Sequence, residues 1–155
     1  IMDWFQEIDQ RALRKVWGSV RKKQLSSINA GAGNDLITGG VGDEILKGGS
    51  GSDRLNGGAG NDKLIGGNGD DTLNGGNGND KLIGGKGADK YILSAGKDTF
   101  VGIRPSEGDV IEIDLSIPYS LESFRKHSMI MHDEGSVVVK KVSVTDLETI
   151  IRIVD

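Results

Sequence analysis

Between Ala30 and Ile92 the chain repeats itself every nine residues. Laid end to end, the stretch reads AGAGNDLIT, GGVGDEILK, GGSGSDRLN, GGAGNDKLI, GGNGDDTLN, GGNGNDKLI and GGKGADKYI. These are seven consecutive copies of Gly-Gly-x-Gly-x-Asp-x-apolar-x. A unit this short cannot bury a core alone and must stack on its neighbours. Glycine permits positive φ and close backbone approach, so the six residues Gly-Gly-x-Gly-x-Asp are expected to be turn, neither helix nor ordinary strand. The closing three residues predict a very short strand. The eighth position is apolar throughout, as Ile37, Leu46, Leu55, Leu64, Leu73, Leu82 and Tyr91. Its neighbours are mixed, with Arg54, Lys63, Lys81, Lys90, Asn56 and Asn74. One inward residue flanked by outward ones is strand alternation. Each copy therefore reads as a turn plus a short strand with a single buried side chain.

Two copies, eighteen residues, make one coil with a strand on each face. Successive coils then stack in parallel over a thin ladder of Leu and Ile, which is a mainly β fold, a parallel β-roll. Residues 93–101, LSAGKDTFV, are a decaying eighth copy: Gly96, Asp98 and Phe100 keep the fourth, sixth and eighth positions, and the double glycine is gone. Composition agrees. Twenty-one of the 25 glycines fall between Ala30 and Asp98, and aromatics are only 5%, which is lean for a compact core.

The sixth position is acidic in every copy: Asp35, Glu44, Asp53, Asp62, Asp71, Asp80 and Asp89, with Asp98 in the decayed one. Because every second copy lies on the same side, these form two ladders, Asp35/Asp53/Asp71/Asp89 and Glu44/Asp62/Asp80/Asp98. A carboxylate above a carboxylate is repulsive unless a cation lies between them. Calcium takes ~6–8 oxygens at ~2.4 Å. The glycine-rich turns add backbone carbonyls, those of Gly31, Gly33, Gly40, Gly42, Gly49, Gly51, Gly58, Gly60, Gly67, Gly69, Gly76, Gly78, Gly85 and Gly87. No cysteine is present and no histidine lies in the repeats, which argues against zinc or copper. Magnesium prefers a small octahedral site that keeps water. Six intervals predict four to six calcium ions. The 35/53, 53/71, 71/89 and 62/80 intervals are well formed; 44/62 holds the longer Glu44, and 80/98 borders the decayed turn. Asn34, Asn61 and Asn79, at the fifth position, read as turn-formers.

The flanks differ from the array, and the chain divides into residues 1–29, 30–101 and 102–155. Residues 1–23, IMDWFQEIDQRALRKVWGSVRKK, place Trp4, Phe5, Ile8, Leu13, Val16, Trp17 and Val20 at helical spacing, with acids early and bases late. This amphipathic helix is expected to cap the first coil; a basic, Trp-bearing membrane-surface helix is the alternative. Residues 24–29 read as a linker or entry strand. Beyond residue 101, VIEIDL is an alternating strand, Ser120 to His127 a short helix, and MIMHDEGSVVV a hairpin. Thr145-x-x-Glu148 is a capping-box pattern, and IIRIV a last strand. Together these form a β-rich cap.

Other chemistries find no support in the residues. His127 and His132 are five apart with no HExxH, no Ser-His-Asp set stands out, and the recurring glycines lack the GK[ST] of a phosphate loop. No enzyme activity is expected of this chain. The bases are concentrated at the start: residues 1–29 carry six bases and three acids, residues 30–155 thirteen bases and twenty acids. Nucleic acid is not an expected partner. No apolar run approaches the ~18 residues of a membrane span, and the first residues lack the apolar core of a secretory leader.

The seven copies resemble the RTX (repeats-in-toxin) family, as do, more weakly, GDVIEIDLS and VSVTDLETI after them. That resemblance implies a right-handed β-roll that is disordered without calcium and folds on binding it. It also implies export by type I secretion machinery through an uncleaved C-terminal signal, here ending in IIRIVD, and hence a secreted bacterial protein. Members of the family carry toxin, protease, lipase, adhesin or epimerase activity in other domains. Two uses are open on these grounds. One is a calcium-dependent folding and secretion module of a larger exported protein. The other is an adhesion or ligand-binding solenoid that meets a membrane or host surface. The exposed positions lack the threonine rows of an ice-binding face.

Overall fold

The structure, a computed structural model, describes residues 27–114, 119–124, 127–132 and 135–154. The N-terminal helix expected over residues 1–23 lies outside the described residues, as do residues 24–26 of the linker, while residues 27–29 enter the first strand.

Among the described residues, fourteen strands form two sheets. Strands β1 (Ser27–Ala32), β3 (Ile45–Ser50), β5 (Lys63–Asn68), β7 (Lys81–Lys86) and β9 (Gly96–Val101) lie in one. Strands β2 (Leu36–Thr38), β4 (Arg54–Ala59), β6 (Thr72–Asn77), β8 (Lys90–Ile92) and β10 (Val110–Asp114) lie in the other. The chain thus crosses from sheet to sheet at every copy and returns after eighteen residues, a β-solenoid of about five turns. All pairing within the array is parallel and in register by eighteen, as in Leu46↔Leu64↔Leu82↔Phe100 and Ile37↔Leu55↔Leu73↔Tyr91. These two rows face each other and are buried from end to end. They are the eighth-position residues, so hydrophobic burial aligns one copy with the next.

The expected strand length needs correction. Full-length strands cover six residues, not three, because they run on through Gly-Gly-x of the following copy, as in KLIGGN. The pairs Gly49↔Gly67↔Gly85 carry the ladder there. With no Cβ at these positions the coils approach closely enough to bond backbone to backbone.

Past residue 101 the same two sheets continue. Strand β10 pairs with β8 in a register of twenty, Tyr91↔Ile111, after a 3-10 turn at Pro105–Glu107. Strands β11 (Tyr119–Phe124), β12 (His127–His132) and β13 (Gly135–Lys140) form an antiparallel meander. Its last strand joins β9 in parallel. Helix α1 (Val144–Ile150) leads back to β14 (Ile151–Val154), which pairs with β10. The hairpin expected at MIMHDEGSVVV is β12–β13. Where a helix is expected from Ser120 to His127, the described residues are instead strand: β11 pairs with β12, for example Leu121↔Ile130, and cross-strand burial outweighs weak local helix preference. The capping residue is Ser143, not Thr145: its Oγ accepts the Asp146 N–H at 3.0 Å.

The core is uneven along the axis. Among the described residues eighteen hydrophobic side chains are buried, yet only six of them, from Ile37 to Leu82, serve the first six copies. The other twelve begin at Tyr91, whose ring packs on Phe100 at a centroid distance of 5.2 Å. Among the described residues, no helix is long and apolar enough to cross a membrane.

Candidate metal centre

The turns bring the sixth-position carboxylates into the two ladders the spacing predicts, and their side chains are buried from Glu44 to Asp98. From Asp53 to Asp98 each reaches back one coil. Oδ1 of Asp53 accepts the Asp35 N–H at 2.9 Å, Asp71 that of Asp53 at 2.8 Å, and Asp89 that of Asp71 at 3.0 Å. On the other side, Asp62 accepts from Glu44 (2.8 Å), Asp80 from Asp62 (2.7 Å) and Asp98 from Asp80 (2.9 Å). One carboxylate oxygen is thus committed to holding coil on coil.

The second oxygen separates the ladder into two classes. Oδ2 of Asp35, Asp53, Asp62, Asp71, Asp80 and Asp89 is buried with no hydrogen-bond partner. Six orphaned acceptors in equivalent places cannot be incidental, since an unpaired buried polar atom costs ~1–3 kcal/mol, and more when charged. The remaining acids are satisfied by the protein. Glu44 Oε2 accepts the Gly40 N–H at 3.1 Å, folding back onto its own turn. Asp98 Oδ2 accepts the Ser94 hydroxyl at 2.9 Å.

From the third copy to the seventh, the first glycine makes room for the orphaned oxygen. A Cβ on Gly66 would stand 2.2 Å from Asp71 Oδ2, and one on Gly84 would stand 2.1 Å from Asp89 Oδ2. The fourth-position glycines stack coil on coil: Gly51, at φ +117°, would place a Cβ 2.1 Å from the Gly33 carbonyl oxygen. Carbonyls of the same kind at Gly31, Gly40, Gly42, Gly49, Gly58, Gly60, Gly67, Gly69 and Gly78 likewise face the glycine eighteen residues on. The Gly40 carbonyl also accepts the Ala59 N–H (2.9 Å), and the Gly85 carbonyl accepts from the Arg104 side chain.

Burial dominates the electrostatics. Desolvation raises the pKa of Asp62, Asp71, Asp80, Asp89 and Asp98 against the lowering effect of their backbone hydrogen bonds. It pushes Asp71 and Asp98 up to about 6 and Asp89 up to about 7. Neighbouring acids, such as Asp53 and Asp70 beside Asp71, add to the rise. Among the described residues, no three acidic, histidine or cysteine side chains converge on one point. Carboxylates arrive one per coil, so an ion bound here draws its remaining oxygens from backbone carbonyls. That suits a hard cation of high, flexible coordination number. Along the first ladder a cavity of about 370 Å³ opens between Asn34, Asp35, Ser52, Asp53 and Asp70.

Two features escaped the sequence. Asp109 is a fifth member of the first ladder: its Oδ1 accepts the Asp89 N–H at 2.8 Å and its side chain is buried. Gly108-Asp109-x-Ile111 was the available signal, hidden by a two-residue insertion. The fifth-position Asn and Asp residues also link coils. Asn34 Oδ1 accepts the Ser52 N–H (2.8 Å), Asn61 that of Asn79 (3.0 Å) and Asp70 that of Ala88 (2.8 Å). They reach forward where the sixth-position acids reach back.

A β-solenoid with stacked turns, ladders of half-satisfied aspartates and glycine cradles is a calcium-binding repeat protein. Four overlapping matches to the RTX calcium-binding nonapeptide repeat cover residues 27–55, 38–73, 47–82 and 65–100, and this stretch of the chain belongs to that family. Among solved structures the chain is similar to the solution structure of the AlgE6R3 subunit from the Azotobacter vinelandii mannuronan C5-epimerase. Identity is 23% over 84% of this chain and 83% of that one, with a TM-score of 0.35. No curated protein sequence matches the chain.

Proposed function

We propose that this chain is a folding module for a larger exported protein, which orders on meeting calcium outside the cell and travels through type I secretion machinery. The observation that carries the calcium half is the set of six orphaned, buried Oδ2 atoms in register. Asp35, Asp53, Asp62, Asp71, Asp80 and Asp89 are the carboxylates that hold the ions, with glycine carbonyls of the same turns completing each shell. Glu44 and Asp98 contribute least: both oxygens of Asp98 already accept from protein donors, and Glu44 Oε2 turns back to the Gly40 N–H. Bound calcium supplies the positive charge that lets stacked carboxylates stay ionised.

The coupling to folding follows from the core. The first six copies bury one hydrophobic side chain per nine residues, too little to offset ordering a glycine-rich backbone at ~1–2 kcal/mol per residue. Metal binding and folding are then one event. The export half is supported by the family resemblance and by the absence of cysteine, which lets the chain cross membranes unfolded with no disulfide to form. Circular dichroism of the EDTA-treated chain through a calcium titration tests the first half. The β signal of residues 27–101 is expected to grow with calcium, and an apo spectrum identical to the calcium-loaded one refutes the coupling. Secretion of a passenger fused to residues 93–155, with and without residues 102–155, tests the second.

A further inference from the structure

The last interval of the first ladder differs from those before it. Asp89 and Asp109 are twenty residues apart, and the segment between β9 and β10 folds over the preceding turn. Arg104 is at the centre of that fold. Its Nη1 donates to the Gly85 carbonyl and lies 3.4 Å from Glu107 Oε2. Its backbone N–H donates to Asp109 Oδ2 at 2.6 Å. Glu107 Oε2 in turn accepts the Gly87 N–H at 3.2 Å. Both glycines of the Gly85–Asp89 turn are therefore engaged from above by an ion pair. Asp109 is the one first-ladder acid whose Oδ2 is not orphaned.

We propose that the Arg104 guanidinium is a built-in cation: it takes, at the 89/109 interval, the place that calcium takes at the earlier ones, and no ion enters there. This rests on the calcium reading of the array. A guanidinium keeps its charge at any accessible pH, and its planar set of donors reaches a carbonyl and a carboxylate together. Its field lowers the Asp109 pKa, against burial, the largest influence, and against the Glu107 carboxylate, both of which raise it. A fixed positive charge therefore stands at the end of the ladder at any calcium concentration.

Two measurements on the full chain test this. Calorimetry gives the ion count for the unmodified chain, D71N and D109N. D71N is expected to bind one ion fewer, whereas D109N keeps the full count. Circular dichroism gives the calcium midpoint for folding. R104Q is expected to raise it by about 1.5-fold, the scale of a half-exposed charge pair shared over several ions, while R104K stays near the unmodified value. In the D109N background the R104Q effect is expected to shrink, since the charge it balances is gone. Loss of an ion in D109N overturns the proposal, and so does an unchanged midpoint in R104Q or an R104K as impaired as R104Q. The arginine series is independent of D109N, so a D109N chain that fails to fold leaves that comparison intact. An unmodified chain that binds no calcium is a separate result, and it refutes the calcium reading itself.

Discussion

At Asp71 the two carboxylate oxygens have different tasks: Oδ1 ties one coil to the last, and Oδ2 faces the Gly66 cradle with no protein donor. Substitutions on either side of that contact should therefore act alike. Gly66→Ala would press a methyl against Oδ2 and against the Gly84 carbonyl, at 2.2 and 2.7 Å. A loss of ~1–3 kcal/mol in the calcium-loaded fold is expected, read as a lower melting temperature at fixed calcium. The same residues give a pH prediction. Asp71, Asp89 and Asp98 titrate at about 6, 7 and 6 in the fold, above the ordinary 3.8. A raised folded-state pKa means that the folded chain holds protons more tightly than the unfolded one. Without metal, that contribution to stability is fully present below about pH 4 and is lost as pH rises through about 6 to 7. Calcium competes with those protons, so with metal the trend reverses and the folding midpoint falls as pH rises over the same window. Circular dichroism in EDTA at pH 4 and pH 8 checks the first half, and less β signal at pH 4 than at pH 8 would contradict it.

Strands in this chain are short and individually weak, and what specifies them is whom they pair with. In the array the pairing was legible, because an apolar residue every nine positions admits one register, and both carboxylate ladders followed from that register. Strand length was not: Gly-Gly reads as turn locally, and only stacking reveals that it bonds as sheet. The region after residue 101 was less legible for the opposite reason. Without repeats, Tyr119–Phe124 shows no pattern strong enough to reveal its partner, and its strand character comes from pairing with His127–His132. Asp109 was missed because two extra residues shift its register from eighteen to twenty. Helix α1 shows how a local signal can point two residues astray. Thr145-x-x-Glu148 fits the capping pattern, yet Ser143 makes the cap, and its hydroxyl also bonds Asp146 Oδ2 at 2.7 Å. Ser143→Ala should cost ~1 kcal/mol, measured by denaturant unfolding in saturating calcium, while Thr145→Ala should change it little.

Across the whole molecule, coil stacks on coil, and the coil is made of two interchangeable halves. The number of nonapeptides therefore has a parity. Excising two, an even step, shortens the rod by one strand spacing of ~4.8 Å and leaves each end facing as before. Excising one swings everything upstream by half a turn. The segment entering at Ser27 would then leave the rod on the side opposite its present one, as judged from α1. For a protein that carries another domain ahead of such an array, repeat count becomes a coarse dial on orientation: length changes in small increments, and direction alternates with each.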